Sequence, residues 1–187
     1  ASSVSLPIVA FYGTERLWHR QPSQPGLTNQ PPREASSQIR TWAYRDCLTS
    51  SATFRQFSDW FQWIFTSHLQ ATLQSAEQGN PVGNAADNSA ASIWRETISV
   101  VQRAIDTLLK DSTGWHTLEY SIAESSLILH HDLQGKINVA QLSDGIRNVL
   151  ALAGDLAWRC VQLNPHLASE AAQQTTGVVL IDELDMH

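Results

Sequence analysis

The residues best suited to chemistry in this 187-residue chain lie near its end. Gly177 opens a run of four aliphatics, Val178 to Ile181, and two adjacent acids follow, Asp182 and Glu183. A short aliphatic run of this kind has the profile of a buried, central parallel strand. Acids at the carboxyl end of such a strand stand where open α/β sheets bind ligands. Two carboxylates there suit phosphate chemistry: the first holds Mg2+, and the second polarises a water beside a terminal phosphate. A strand that meets solvent with acids at its tip is the plainer reading of the same string.

A second group precedes an apolar helix: Leu142, Ser143, Asp144, Gly145, Ile146 and Arg147. Ser143 is at capping distance, and Gly145 permits close approach to the backbone. Free N–H groups at a helix start, with a hydroxyl beside them, favour an anion. An ordinary N-cap uses the same residue types. Other candidates are weaker. His130 and His131 are adjacent on an expected strand, so they face opposite sides and cannot share a metal. Arg16 and Trp18 follow a strand end and suit either stacking on a base or packing in a lid. Trp60, Trp63 and Trp94 lie on or beside helical core stripes, which favours packing over a nucleic-acid platform. Arg33, Arg40, Arg45, Arg55, Arg95 and Arg103 form no run.

The elements that must position these residues are legible in outline. Leu6 to Tyr12 reads as a buried strand stopped by Gly13. His19 to Ser37 holds four prolines among polar residues, an exposed loop or lid. Gln38 to Leu48 is a short helical candidate. Phe54, Phe57, Phe61, Ile64 or Phe65, and Leu69 recur at helical steps from Thr53, with Trp60 and Trp63 flanking the stripe, and the helix fades near Glu77. Residues 79–91 suit disorder. A second helix, capped by Ser92, carries Trp94, Ile98, Val101, Ile105 and Leu108 and packs lengthwise on the first. From Trp115 the period drops to two, with Leu118, Tyr120 and Ile122 alternating inward. Leu127 to His131 and Lys136 to Val139 complete a small antiparallel meander. A helix from about Gly145 to Leu163 presents Ile146, Val149, Leu150, Ala153, Leu156, Ala157 and Cys160 on one face, and Pro165 closes it. The fold class is therefore α/β, mixed and helix-rich.

Apolar residues at 42% support a packed core and argue against wholesale disorder. Twelve basic against eighteen acidic residues, a net charge of -6, argue against a chain-wide grip on nucleic acid or anionic lipid. Cys47 and Cys160 are far apart on apolar stretches, so neither a disulfide framework nor zinc spacing is available, and a reducing, cytoplasmic setting is expected. No apolar run approaches the ~20 residues needed to cross a bilayer. The start lacks both an initiator Met and a basic signal region, and the end follows directly on an apolar run; the chain reads as a segment of a longer protein.

Taken in order, the motifs resemble a known family. LSDGIR, Leu142 to Arg147, is similar to the ABC-type ATPase signature LSGGQR, and VVLIDE, Val178 to Glu183, resembles that superfamily's Walker B strand. One amphipathic helix separates them. Tyr12-Gly-Thr-Glu-Arg-Leu-Trp18, Tyr44-Arg-Asp-Cys47, Leu142-Ser-Asp-Gly-Ile-Arg-Asn148 and Ile181-Asp-Glu-Leu-Asp-Met-His187 follow the order seen in RecF-like and SMC-like ATPases of the branch labelled AAA-type ATP-binding proteins "involved in virulence". That branch includes ATPase subunits of antiphage systems of the Septu type. The resemblance spans essentially the whole chain.

It implies a partial ABC-type ATPase core: residues 1–18 as a core strand and lid start, 19–52 as a loop and short helix, 53–110 as a helical insertion, and 115–187 as meander, signature helix and Walker B strand. It implies Asp182 as the Mg2+ ligand and Glu183 as the catalytic base. Ser143 and Gly145 would reach the γ-phosphate of ATP on a second subunit of a homodimer. Asp185 would lie in the segment crossing that interface. Asp144 stands where the signature has its first glycine, and Ile146 where it has glutamine; an acid beside a phosphate must turn away, toward Arg147 or a helix amide. No G-x-x-x-x-G-K-[ST] string occurs, so the phosphate loop is expected upstream of Ala1. His187 comes too early to be the switch histidine. The chain alone is then expected neither to hydrolyse ATP nor to bind it tightly. A nuclease effector and nucleic acid are the implied partners, with no membrane. The competing class is a non-enzymatic helical interaction module whose acidic end is incidental.

Overall fold

Three helices and two small sheets carry the core. The structure is a computed structural model that describes residues 4–13, 40–48, 53–77 and 90–182. Glu183 to His187, the 19–37 loop and residues 79–89 of the stretch expected to be disordered lie outside them.

The phenylalanine steps form helix α1, Thr53–Glu77. Phe57, Phe61 and Ile64 are buried, as their spacing requires. Trp60, expected at the flank, is also buried, because its ring lies 6.1 Å from that of Trp158 on a later helix. Trp63 keeps its flanking place and meets Trp94 edge-on at 6.4 Å. Both pack against the core rather than forming an open aromatic platform.

Helix α2, Ala90–Thr113, begins before Ser92, which therefore lies inside the helix and is not its cap. Two alanines, the strongest helix formers, extend it upstream. Its buried stripe is Ile98, Val101, Ile105 and Leu109, and Leu108 is 51% exposed. The heptad step to Leu108 fails because a straight helix turns every 3.6 residues, and four residues return Leu109 to the face shared with α1. Gly114, at φ 76°, ends α2.

The meander consists of β2, Trp115–Ser121, β3, Ser126–His131, and β4, Gly135–Asn138, in the order β2-β3-β4. Its alternation is broken by a bulge between His116 and Leu118, with Thr117 at φ 50°. The extra residue lets Trp115, Leu118 and Tyr120 all face inward. Asp106 of α2 accepts from the Thr117 N–H at 2.7 Å, and Gln102 donates to the Leu118 carbonyl at 2.8 Å, so the bulge is tied to α2. Ile122, expected inside, lies beyond the strand and is exposed. His130 and His131 do diverge: His130 lies 2.9 Å from Glu119, and His131 packs edge-on against Trp115. Burial raises the Glu119 pKa, but hydrogen bonds from His130 and Lys136 outweigh it, leaving the carboxyl below its ordinary value.

Helix α3, Asp144–Leu163, crosses both α1 and α2. Its apolar face is wider than one stripe, since Ala151, Ala153, Ala157, Trp158 and Leu163 are all buried. Gly154 is required by packing: a Cβ there would lie 2.5 Å from the Phe57 ring. After 3-10 turns and the short helix α4, Ala171–Gln174, the chain enters β5, Gly177–Ile181. β5 pairs in parallel with β1, Ile8–Tyr12, in the register Ile8–Gly177 to Tyr12–Ile181. The parallel pairing expected of β5 is present, but its burial is not. Among the described residues β5 has β1 as its single neighbour, and Val178 and Leu180 are 60% and 58% exposed. Val179 faces α3, while the opposite face of the sheet carries no cover among the described residues.

Substituting Gly154→Ala tests this packing. Helix propensity alone would stabilise the protein by about 0.5–1 kcal/mol. The clash with the Phe57 ring should override that and destabilise by about 1–3 kcal/mol, read as a lower urea midpoint with unchanged slope. Adding Phe57→Leu should recover part of the loss.

Candidate functional site

The sequence candidates fall at two places joined by α3. The first is the start of that helix. Ser143 is its N-cap, extended at φ -61° and ψ 155°, and its hydroxyl makes no capping bond. The residue is exposed. Asp144 at the first helical position pairs with Arg147 one turn on, and Arg147 also reaches the Ala140 carbonyl. The acid at the helix start is thus held in an ion pair with a residue of its own first turn. Gly145 has open space where a Cβ would be, with nothing within 4 Å among the described residues. Among them, no packing reason exists for glycine there.

The second place is the end of β5. Asp182 is exposed, and its N–H donates to the Tyr12 carbonyl at 2.8 Å, extending the β1–β5 ladder to the carboxylate. Glu183 and Asp185 lie outside the described residues. Among the described residues no group of three or more His, Cys, Asp and Glu side chains could hold a metal. One or two carboxylates completed by phosphate oxygens and water is nevertheless a set that Mg2+ accepts, and an exposed Asp182 fits it.

The strand ends are tied to the same helix: the Tyr12 hydroxyl at the end of β1 donates to Asp155 at 2.6 Å, and Tyr12 packs with Ala151. β1 runs along α3 toward its start, from Leu6 beside Asn164 to Tyr12 beside Ala151.

Between them lies a buried polar network that the sequence reading missed. Asp155 and Arg159 are 0% and 1% exposed, and Arg159 Nε donates to Asp155 Oδ2 at 2.7 Å. The same oxygen accepts from Tyr12. Arg159 Nη1 donates to the carbonyls of Ala43 and Arg45, in the 3-10 turn Arg40–Tyr44 and just after it. Burial raises the Asp155 pKa, with Arg159 and the Tyr12 hydroxyl opposing it. The Tyr12 phenol is held far above its usual value by burial and by the adjacent carboxylate. The overlooked signal was a pair of opposite charges four residues apart inside the apolar run ALAGDLAWRC. A second clamp uses Asn164 at the end of α3, fully buried, which accepts from the Leu6 N–H and donates to the Leu6 carbonyl and to Thr175.

No family model matches the chain. Among curated proteins it is similar to the following two. The "Retron Ec83 probable ATPase" of Escherichia coli is 28% identical over 220 aligned positions, covering 99% of this chain. The "Retron Vc95 probable ATPase" of Vibrio cholerae serotype O1 biovar El Tor is 21% identical over 210, covering all of it. The chain spans 40% of the length of each relative. Both likenesses take in the helix start, the buried network and the strand end, so the two candidate places fall inside the matched region. They support an ATPase family without resolving its subtype. No helix among the described residues is long and apolar enough to cross a membrane.

Gly145→Ala separates packing from function. With open space at the position, the melting temperature should stay unchanged or rise slightly, because alanine is worth up to about 1 kcal/mol over glycine in a helix. A marked fall would show that Gly145 is needed by the fold.

Proposed function

We propose that the chain supplies the signature segment and the acid-bearing strand of an ATP-hydrolysing protein of ABC/RecF-like type. The observation that carries the ATP reading is its likeness, over essentially the whole chain, to two proteins named probable ATPases. Ser143 and Gly145 contribute a hydroxyl and backbone N–H groups to the γ-phosphate. Asp182 would hold Mg2+, which would supply neutralisation of negative charge at the terminal phosphate. Glu183 orients and deprotonates the attacking water. Asp144 is occupied by Arg147, which removes the repulsion that its position would otherwise create. Asp185 belongs to the segment that crosses the subunit interface.

The protein acts as a head-to-tail homodimer, in which the helix start of one subunit meets the acids of the other, as the resemblance to the ABC-type signature implies. The α1–α2 pair, expected over 53–110 and running to Thr113, is an insertion between catalytic lobes. The chain lacks a G-x-x-x-x-G-K-[ST] loop, so ATP turnover belongs to a longer protein that contains one, and the chain alone is inactive. Both relatives are named for retrons. The setting we propose is cytoplasmic antiphage defence, with ATP-driven closure controlling a nuclease effector or access to nucleic acid.

Glu183→Gln in the intact protein tests the assignment. MgATP binding should persist, turnover should fall by about 100-fold or more, and the nucleotide-bound dimer should become longer-lived. Turnover at the wild-type rate would remove Glu183 from the mechanism and favour a helical interaction module.

A further inference from the structure

Two of the four segments that carry the family resemblance meet at one buried ion pair, a third opens the helix that carries the pair, and the fourth is attached to it through a single hydrogen bond. Tyr12 reaches Asp155 through its hydroxyl. The turn containing Tyr44-Arg-Asp-Cys47 reaches Arg159 through the carbonyls of Ala43 and Arg45, and Cys47 accepts from the Phe11 N–H at 2.8 Å. Asp155 and Arg159 themselves belong to the helix that begins at Ser143. Asp182 completes the set by donating its N–H to the carbonyl of Tyr12, the residue whose side chain is bonded to Asp155.

Stability does not account for charges at this position. Desolvating a carboxylate and a guanidinium is costly, and apolar replacements of similar volume are often as stable or more so. Apolar contact is available, since Val179 already packs toward α3. Hydrophobic contact has no direction, however, and lets a strand slide, whereas a hydrogen bond fixes one position. We infer that Asp155, held by Arg159 and acting through Tyr12, is a positioning residue that sets where the Asp182 carboxylate stands against α3. Its consequence for catalysis rests on the nucleotide-site reading above; the geometric claim does not. The hydroxyl of Tyr12 is the link: without it the strand end keeps its apolar contacts and loses its fixed place.

Tyr12→Phe removes that hydroxyl and almost nothing else. In the 187-residue chain, amide exchange at Asp182 should accelerate about tenfold beyond any change at core amides such as Leu118 and Leu129, a local loss of order on top of the modest destabilisation expected when a buried carboxylate loses one donor. In the intact protein, assayed well below a melting temperature lowered by some degrees, kcat should fall about tenfold with KM for MgATP within about twofold. Uniform acceleration of all amides, or no change at Asp182, would reduce the network to a structural role and overturn the inference. So would wild-type kcat in a Tyr12→Phe protein whose parent hydrolyses ATP. If the parent shows no turnover, the nucleotide reading fails by itself, and the exchange rate at Asp182 alone decides the positioning claim.

Discussion

One buried carboxylate organises the lower half of this molecule. Asp155 has no access to solvent, and one of its oxygens takes hydrogen bonds from both Tyr12 and Arg159. Without Arg159 the carboxylate would be an uncompensated charge in the core, and without Asp155 the guanidinium would be one. The pair is tolerated because each partner is fixed by further bonds: Arg159 to two carbonyls of the 40–46 turn, Asp155 to the end of β1. The Asn164 clamp does the same for the other end of β1. Two polar contacts thus set the parallel strands on α3, and Val179 with Leu152 and Leu156 fills the space between.

This arrangement ties both candidate places to one frame. Tyr12 holds the β1–β5 strand ends on α3, the helix that begins at Ser143. In the dimer proposed above, Ser143 and Gly145 serve the acids of the neighbouring subunit, and the Asp144–Arg147 pair occupies the acid that stands between them.

The helices were legible because their signal is local. Phe57, Phe61 and Ile64 fall on one face by their spacing, and Gly114 and Pro165 mark ends through their own backbone limits. Errors arose where tertiary contacts decide. Trp60 is buried because Trp158 lies opposite it, and Leu109 replaces Leu108 on the buried face of α2. The β2 alternation is broken by a bulge that depends on Asp106, eleven residues away. β5 is apolar yet exposed on one face, since a strand's composition reports the sheet it suits and not the neighbours around it. Ser143, Gly145 and Asp182 could be named as candidates from motif order. Asp155 and Arg159 could not, because their partners Tyr12 and Ala43 are more than a hundred residues distant.

The central claim is that Ser143 and the strand-end acids serve different subunits. Mixing two inactive forms of the intact protein tests it most directly: one carrying Ser143→Arg, the other Glu183→Gln. In a head-to-tail dimer, the mixed species has one site with both its serine and its acid intact. ATP turnover should therefore reappear on mixing, at up to about a quarter of the wild-type rate per subunit for random exchange and independent sites. Turnover that stays at the level of the separate variants, with subunit exchange demonstrated, would place both residues in one site of one chain and contradict the account.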